Sequence, residues 1–105
     1  MEHRRSRRFK LQLPLSITRA GVERTTLAGF TQNISSTGVL FTSEREPDPS
    51  GPIEYMITLN HDGRQGVHLR CIGKVLRAER MGGGHHDSLA YQVAATLERY
   101  EFVRQ

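Results

Sequence analysis

Hydrophobic residues recur at every second position through most of the chain, the spacing of a β-strand with one buried face. Leu11, Leu13, Leu15 and Ile17 alternate with Gln12, Pro14, Ser16 and Thr18. Pro14 has no amide hydrogen, which predicts that this strand lies at a sheet edge or begins at a bulge. Ala20-Gly21 reads as a turn. Residues 25–34, rich in Thr, Phe and Ile, give a second strand of weaker pattern. Ser35-Ser36-Thr37-Gly38 is a tight turn leading straight into Val39-Leu40-Phe41, a short buried strand. Residues 44–52 hold three of the four prolines and form a loop. Ile53, Tyr55, Ile57 and Leu59 resume the alternation, and Asn60-His61-Asp62-Gly63 supplies a hairpin turn. Val67, Leu69, Cys71, Gly73 and Val75 define a long strand reaching Ala78, with Gly73 marking a bulge or bend. Residues 81–88 contain a triple glycine and read as a flexible loop, after which Leu89, Tyr91, Val93, Ala95 and Leu97 make the last strand. Residues 98–105 are expected to end the chain as a short helix.

Six strands at short spacing, joined by turns of Gly, Asn and Asp, predict an all-β fold: a closed or nearly closed six-stranded antiparallel β-barrel. With 105 residues there is material for one modest core, so residues 10–105 are read as a single domain and residues 1–9 as an arm preceding the first strand. Such an arm is expected to be mobile until a ligand orders it. There is no internal repeat. Phe9, Phe30, Phe41 and Phe102 fall on separate elements and are assigned to the core rather than to a stacking platform.

Charge sharpens this picture once it is located. The chain carries +4 from 15 Lys and Arg against 11 Asp and Glu. Residues 1–10 hold Arg4, Arg5, Arg7, Arg8 and Lys10 against Glu2, so the whole excess sits there and the rest of the chain is neutral. This is a basic arm rather than the distributed basic surface that coats nucleic acid. No apolar run approaches the ~18 residues of a membrane helix, and no apolar stretch follows the basic start as in a signal peptide. A cytoplasmic location without membrane insertion is expected. The single cysteine, Cys71, excludes an internal disulfide and a multi-thiolate metal site, and its place in an apolar strand predicts an inert, packed thiol.

Two segments carry the candidate chemistry. The first is Arg4-Arg5-Ser6-Arg7-Arg8, an Arg-x-x-x-Arg that runs into Phe9-Lys10-Leu11-Gln12-Leu13-Pro14-Leu15. The second is Asn33-Ile34-Ser35-Ser36-Thr37-Gly38, an Asn-x-Ser-x-x-Gly turn. Each is a common pattern alone: the arginines can be a solubilising tail, and Asn33 and Ser35 can cap a turn by local side-chain bonds. In this order, one strand pair apart, they resemble the PilZ domain family, as do Cys71-Ile72-Gly73-Lys74-Val75-Leu76-Arg77 and Tyr91-Gln92-Val93-Ala94-Ala95-Thr96-Leu97 downstream. The resemblance covers nearly the whole chain. It implies a non-enzymatic receptor for the bacterial messenger cyclic di-GMP, bound across the arm and the turn by Arg4, Arg5, Arg8, Asn33, Ser35 and Gly38.

The residue types suit that ligand. A cyclic dinucleotide offers two phosphates and two guanines, and guanine O6 and N7 accept two parallel bonds from one arginine fork. Arg4 and Arg8 are candidates for guanine edges or phosphates, while Arg5 or Arg7 adds phosphate contacts or stacks on a base. The family most often has aspartate where Asn33 stands; asparagine keeps an amide donor and acceptor and loses the charge. Ser35 supplies a small hydroxyl, and Gly38 is expected to permit a positive φ and close backbone approach. No cofactor is expected besides the ligand. In a one-domain chain the output is expected to pass through an unidentified partner protein, in motility, adhesion or polysaccharide export, as the family implies.

Other features carry less. His85-His86-Asp87 on a glycine-rich loop is read as solvated, because adjacent residues cannot both face one ion unaided and no Cys or Glu cluster joins them. Neither a Gly-x-Ser-x-Gly elbow nor a phosphate-binding Gly-x-x-x-x-Gly-Lys loop is present, so hydrolase and nucleotide-hydrolysing classes lack support. Two rivals remain open: a PilZ-like interaction module that binds no nucleotide, and, less favoured, a small barrel that binds RNA or single-stranded DNA through the arm.

Overall fold

The computed structural model describes residues 10–49, 51–60, 66–81 and 91–104. Among the described residues there are seven strands: β1 Pro14–Ala20, β2 Glu23–Ile34, β3 Gly38–Ser43, β4 Pro52–Asn60, β5 Val67–Arg80, β6 Tyr91–Thr96 and β7 Arg99–Arg104. All pairings are antiparallel. The sheet runs β4-β1-β2-β3-β6-β5-β7, and a further β4–β5 pairing closes the first six strands into a barrel. Closure leaves those six without an edge, which removes the hazard of unpaired backbone groups.

The barrel is filled by the period-two residues. Leu15 and Ile17 from β1, Val39 and Phe41 from β3, Ile53, Tyr55 and Ile57 from β4, Cys71 from β5 and Val93 and Ala95 from β6 are each under 5% exposed. The Phe41 and Tyr55 rings meet at the centre, 5.6 Å apart. The weaker pattern of β2 has a physical reason: its inward row reads Leu27, Gly29, Thr31, so two of the three inward positions are not large apolar residues.

The strand that sequence places at an edge lies between β4 and β2. Pro14 is tolerated because it opens β1, and the bulge in that strand falls at Thr18 instead. The turn at Asn60-His61-Asp62-Gly63 and the glycine loop lie outside the described residues from His61 to Gln65 and from Gly82 to Ala90, but β4 and β5 do form the expected hairpin. Of the phenylalanines assigned to the core, Phe41 is fully buried, Phe30 is 38% and Phe102 68% exposed, and Phe9 is outside the described residues.

The C-terminal helix expected over 98–105 is instead strand β7. The cause lies in β5. At 14 residues it is much longer than β6, which pairs only with Val75 to Arg80, so an edge from Val67 to Ile72 remains and β7 takes it. At the junction the backbone is crowded. A Cβ on Gly73 would lie 1.9 Å from the Thr96 carbonyl oxygen, a contact only glycine avoids. The Lys74 amide donates to Thr96 Oγ1 at 2.8 Å, and the Tyr55 hydroxyl of β4 reaches past β5 to donate to the Thr96 carbonyl at 3.0 Å. Outside the barrel Arg70 ties three strands by pairing with Glu54 of β4 and, at 3.0 Å, Glu101 of β7.

Two outcomes follow from this packing. Gly73→Ala forces backbone atoms apart rather than a side-chain tip, so it lowers stability by about 2 kcal/mol or more, a fall in Tm of about 10 °C in thermal melts; an unchanged Tm would show that the junction yields freely. Burial pushes the Cys71 thiol up to about 12, well above the ordinary cysteine value, so it stays protonated at neutral pH. Alkylation at pH 8 is then expected to be at least about 100-fold slower in the folded protein than in denaturant; equal rates would mean the barrel opens there.

Candidate functional site

The segment joining the arm to β1 and the turn after β2 lie at the same end of the barrel, because β1 and β2 are antiparallel neighbours. Thr31 links them. Its amide donates to the Leu13 carbonyl at 2.9 Å, and its hydroxyl accepts the Leu13 amide at 2.9 Å while donating to the Leu11 carbonyl. Thr31 is fully buried, and these bonds satisfy its hydroxyl. They extend the β1–β2 ladder past Pro14 and fix residues 11–13 alongside the strand that carries Asn33. A shallow groove runs there, lined by Lys10, Leu11, Gln12, Thr31 and Gln32. Sequence reasoning missed Thr31; its signal is a polar residue in an inward strand position.

Just beyond Thr31 the β2–β3 register shifts, with Gln32 as the extra residue, and pairing resumes at Asn33 with Leu40 and Ile34 with Val39. The bulge re-aims the strand as it enters the turn. Gln32 Oε1 accepts from Gln92 Nε2 of β6 at 2.7 Å, spanning β3 beside the turn. No sequence signal marks that amide pair.

The turn itself is organised by Ser35. Its amide donates to the Gly38 carbonyl at 2.9 Å, and its hydroxyl accepts the amides of Gly38 at 3.1 Å and Thr37 at 3.3 Å and donates to the Gly38 carbonyl at 3.2 Å. One hydroxyl has one hydrogen and two lone pairs, so this serine is fully committed to the turn. It is only 6% exposed, whereas Ser36 and Thr37 stand in solvent at the tip. Ser35 therefore shapes the turn in this state rather than offering its hydroxyl outward.

Gly38 differs from expectation in one respect. Positive φ occurs among the described glycines at Gly21 and Gly51, not at Gly38. What glycine allows here is close strand packing: a Cβ would lie 3.0 Å from the Ala95 carbonyl across the β3–β6 pair. The turn is also anchored to the barrel, since the Leu97 amide donates to the Thr37 carbonyl at 2.9 Å.

No charged residue occurs between Arg24 and Glu44, so the turn carries no charge of its own; the carboxylate brought near it is Glu98, which accepts from Thr96 Oγ1 at 2.9 Å beside Gly38. The sequence places the positive charge in the arm, and Arg4, Arg5 and Arg8 lie outside the described residues. Of the six candidates, the structure thus places Asn33, Ser35 and Gly38 together, beside the segment into which the arm runs. His61, His85, His86 and Asp87 also lie outside the described residues, among which no group of three His, Cys, Asp or Glu side chains gathers as metal ligands would.

Comparison with known proteins supplies one match. The model of the PilZ domain matches residues 2–102, a span holding both the arginine segment and the turn. No curated protein and no solved structure matches. The match covers nearly the whole chain, and a closed six-stranded barrel bearing an Asn-x-Ser-x-x-Gly turn beside the root of a basic arm accords with it. The chain belongs to the PilZ domain family.

Proposed function

We propose that the protein is a cytoplasmic, non-enzymatic receptor for cyclic di-GMP that signals to a partner protein through its arm. The observation that carries this reading is the Thr31 clamp, which holds the root of the arginine arm against the strand leading into Asn33-Ile34-Ser35-Ser36-Thr37-Gly38. A ligand with phosphates and guanine edges would bridge the two. Arg4 and Arg8 supply bidentate donors, Arg5 a further cation, and Asn33 an amide for a base edge. Ser35 and Gly38 act by holding the turn in shape. Fixing the arm costs conformational entropy, which the new charged hydrogen bonds offset; the ordered arm then makes or masks a surface for the partner.

One observation favours a second reading, an interaction module that binds no nucleotide. The Ser35 hydroxyl is already spent on the turn, and Asn33 lacks the carboxylate common in the family. Calorimetric titration with cyclic di-GMP, with GTP and a short oligonucleotide as controls, separates the readings. Saturable binding of the cyclic dinucleotide alone supports the receptor; no heat from any of the three supports the module.

Arg4→Ala and Arg8→Ala are each expected to weaken binding of the dinucleotide at least about tenfold, about 1.4 kcal/mol, with Tm unchanged. Parental affinity in both variants would remove the arm from the site. Asn33→Asp should retain binding, because a carboxylate accepts the guanine N1 and N2 hydrogens as an amide oxygen does. Loss of binding in a variant with parental circular dichroism would assign Asn33 to another role.

A further inference from the structure

β7 ends the sheet, with β5 as its one strand neighbour among the described residues. It is held firmly, by pairing from Arg99–Ile72 to Arg104–Val67 and by the Arg70–Glu101 ion pair. Yet it carries two large aromatic side chains in the open. Phe102 pairs with Leu69 and Tyr100 with Cys71, so both belong to the row that faces the core, but they are 68% and 60% exposed. The reason is that β6 has β3 on its far side and β7 has no such neighbour among the described residues. The two rings touch edge to face, with centroids 6.4 Å apart. Natural edges are blunted by proline, bulges or charged side chains. Residues 99–104 contain no proline and pair with β5 without a register shift, while their charges, Arg99, Glu101 and Arg104, restrict the registers a further strand can take.

We infer that β7 is the interface of a symmetric dimer, pairing antiparallel with β7 of a second copy so that the two barrels share one continuous sheet. The strand's own charges select both the partner and the register. In an antiparallel pair related by a two-fold axis normal to the sheet, one residue faces its own counterpart. Centring on Glu101 sets like charges opposite each other, which is destabilising. Centring on Tyr100 overlaps only residues 99–101 of each six-residue strand. Centring on Phe102 overlaps residues 100–104, stacks the two Phe102 rings, and places each Tyr100 opposite Arg104 of the second copy, a cation–aromatic contact. One strand pair is a small interface, so the dimer is weak and concentration-dependent.

The test uses the full chain. Cross-strand Cα atoms in an antiparallel pair lie about 4.5–5.5 Å apart, within reach of a disulfide. Cys71, the single native thiol, is buried. Phe102→Cys is therefore expected to give a disulfide-linked dimer on mild oxidation, at least about tenfold faster than Val22→Cys, which is 91% exposed on the β1–β2 turn and reports random collision. By sedimentation, the parent should pass from monomer to dimer between about 5 and 500 µM, and Phe102→Lys, with unchanged circular dichroism, should raise the dissociation constant at least about tenfold. A parent that stays monomeric throughout, or equal crosslinking at positions 102 and 22, would overturn the inference.

Discussion

The structure turns on the passage of the chain from Thr96 to Glu98. Up to Thr96 the strand is shared between β3 and β5; beyond it, β5 is its one partner strand among the described residues. Four interactions meet in this short stretch. The Tyr55 hydroxyl reaches Thr96 from β4 past the intervening β5, Gly73 makes room for its carbonyl, the Glu98 amide returns to Ile72 at 2.9 Å, and the Leu97 amide holds Thr37 in the Asn-x-Ser-x-x-Gly turn. The fixed position of the turn and the departure of β7 from β3 therefore have a common origin. Burial raises the Tyr55 hydroxyl above its ordinary value, so the donor to Thr96 stays protonated into alkaline solution where an exposed tyrosine would ionise.

The barrel was legible where side-chain alternation decides burial. Leu15 and Ile17, Ile53, Tyr55 and Ile57, and Val93 and Ala95 all point inward as their spacing requires. What one strand's pattern does not contain is the length of its neighbours. Residues 98–105 read as a short terminal helix until β5 is seen to offer an edge six residues long, from Val67 to Ile72, which Arg99–Arg104 takes as a strand. Phe30 and Phe102 are assigned to the core because they fall on separate elements, but Phe30 lies on the outward row of β2 and Phe102 reaches past the closed part of the barrel.

The candidate site was legible as a motif and less so as geometry. Asn33, Ser35 and Gly38 were found by spacing; in the structure Ser35 closes the turn and Gly38 lets β3 approach β6. Thr31 and the Gln32–Gln92 pair carry no motif, because their roles depend on a bulge and on strands distant in sequence. In the proposed receptor the turn, uncharged between Arg24 and Glu44, supplies shape and the basic arm supplies charge, so neither is expected to hold an anionic dinucleotide alone.

That division is the central claim, and amide chemical-shift mapping tests it most directly. On titration with cyclic di-GMP, the account predicts saturating shifts confined to the arm, to Lys10 through Leu13 and to Thr31 through Gly38, with GTP causing none at the same concentration. Shifts concentrated along β7, or none in Thr31 through Gly38, would contradict it.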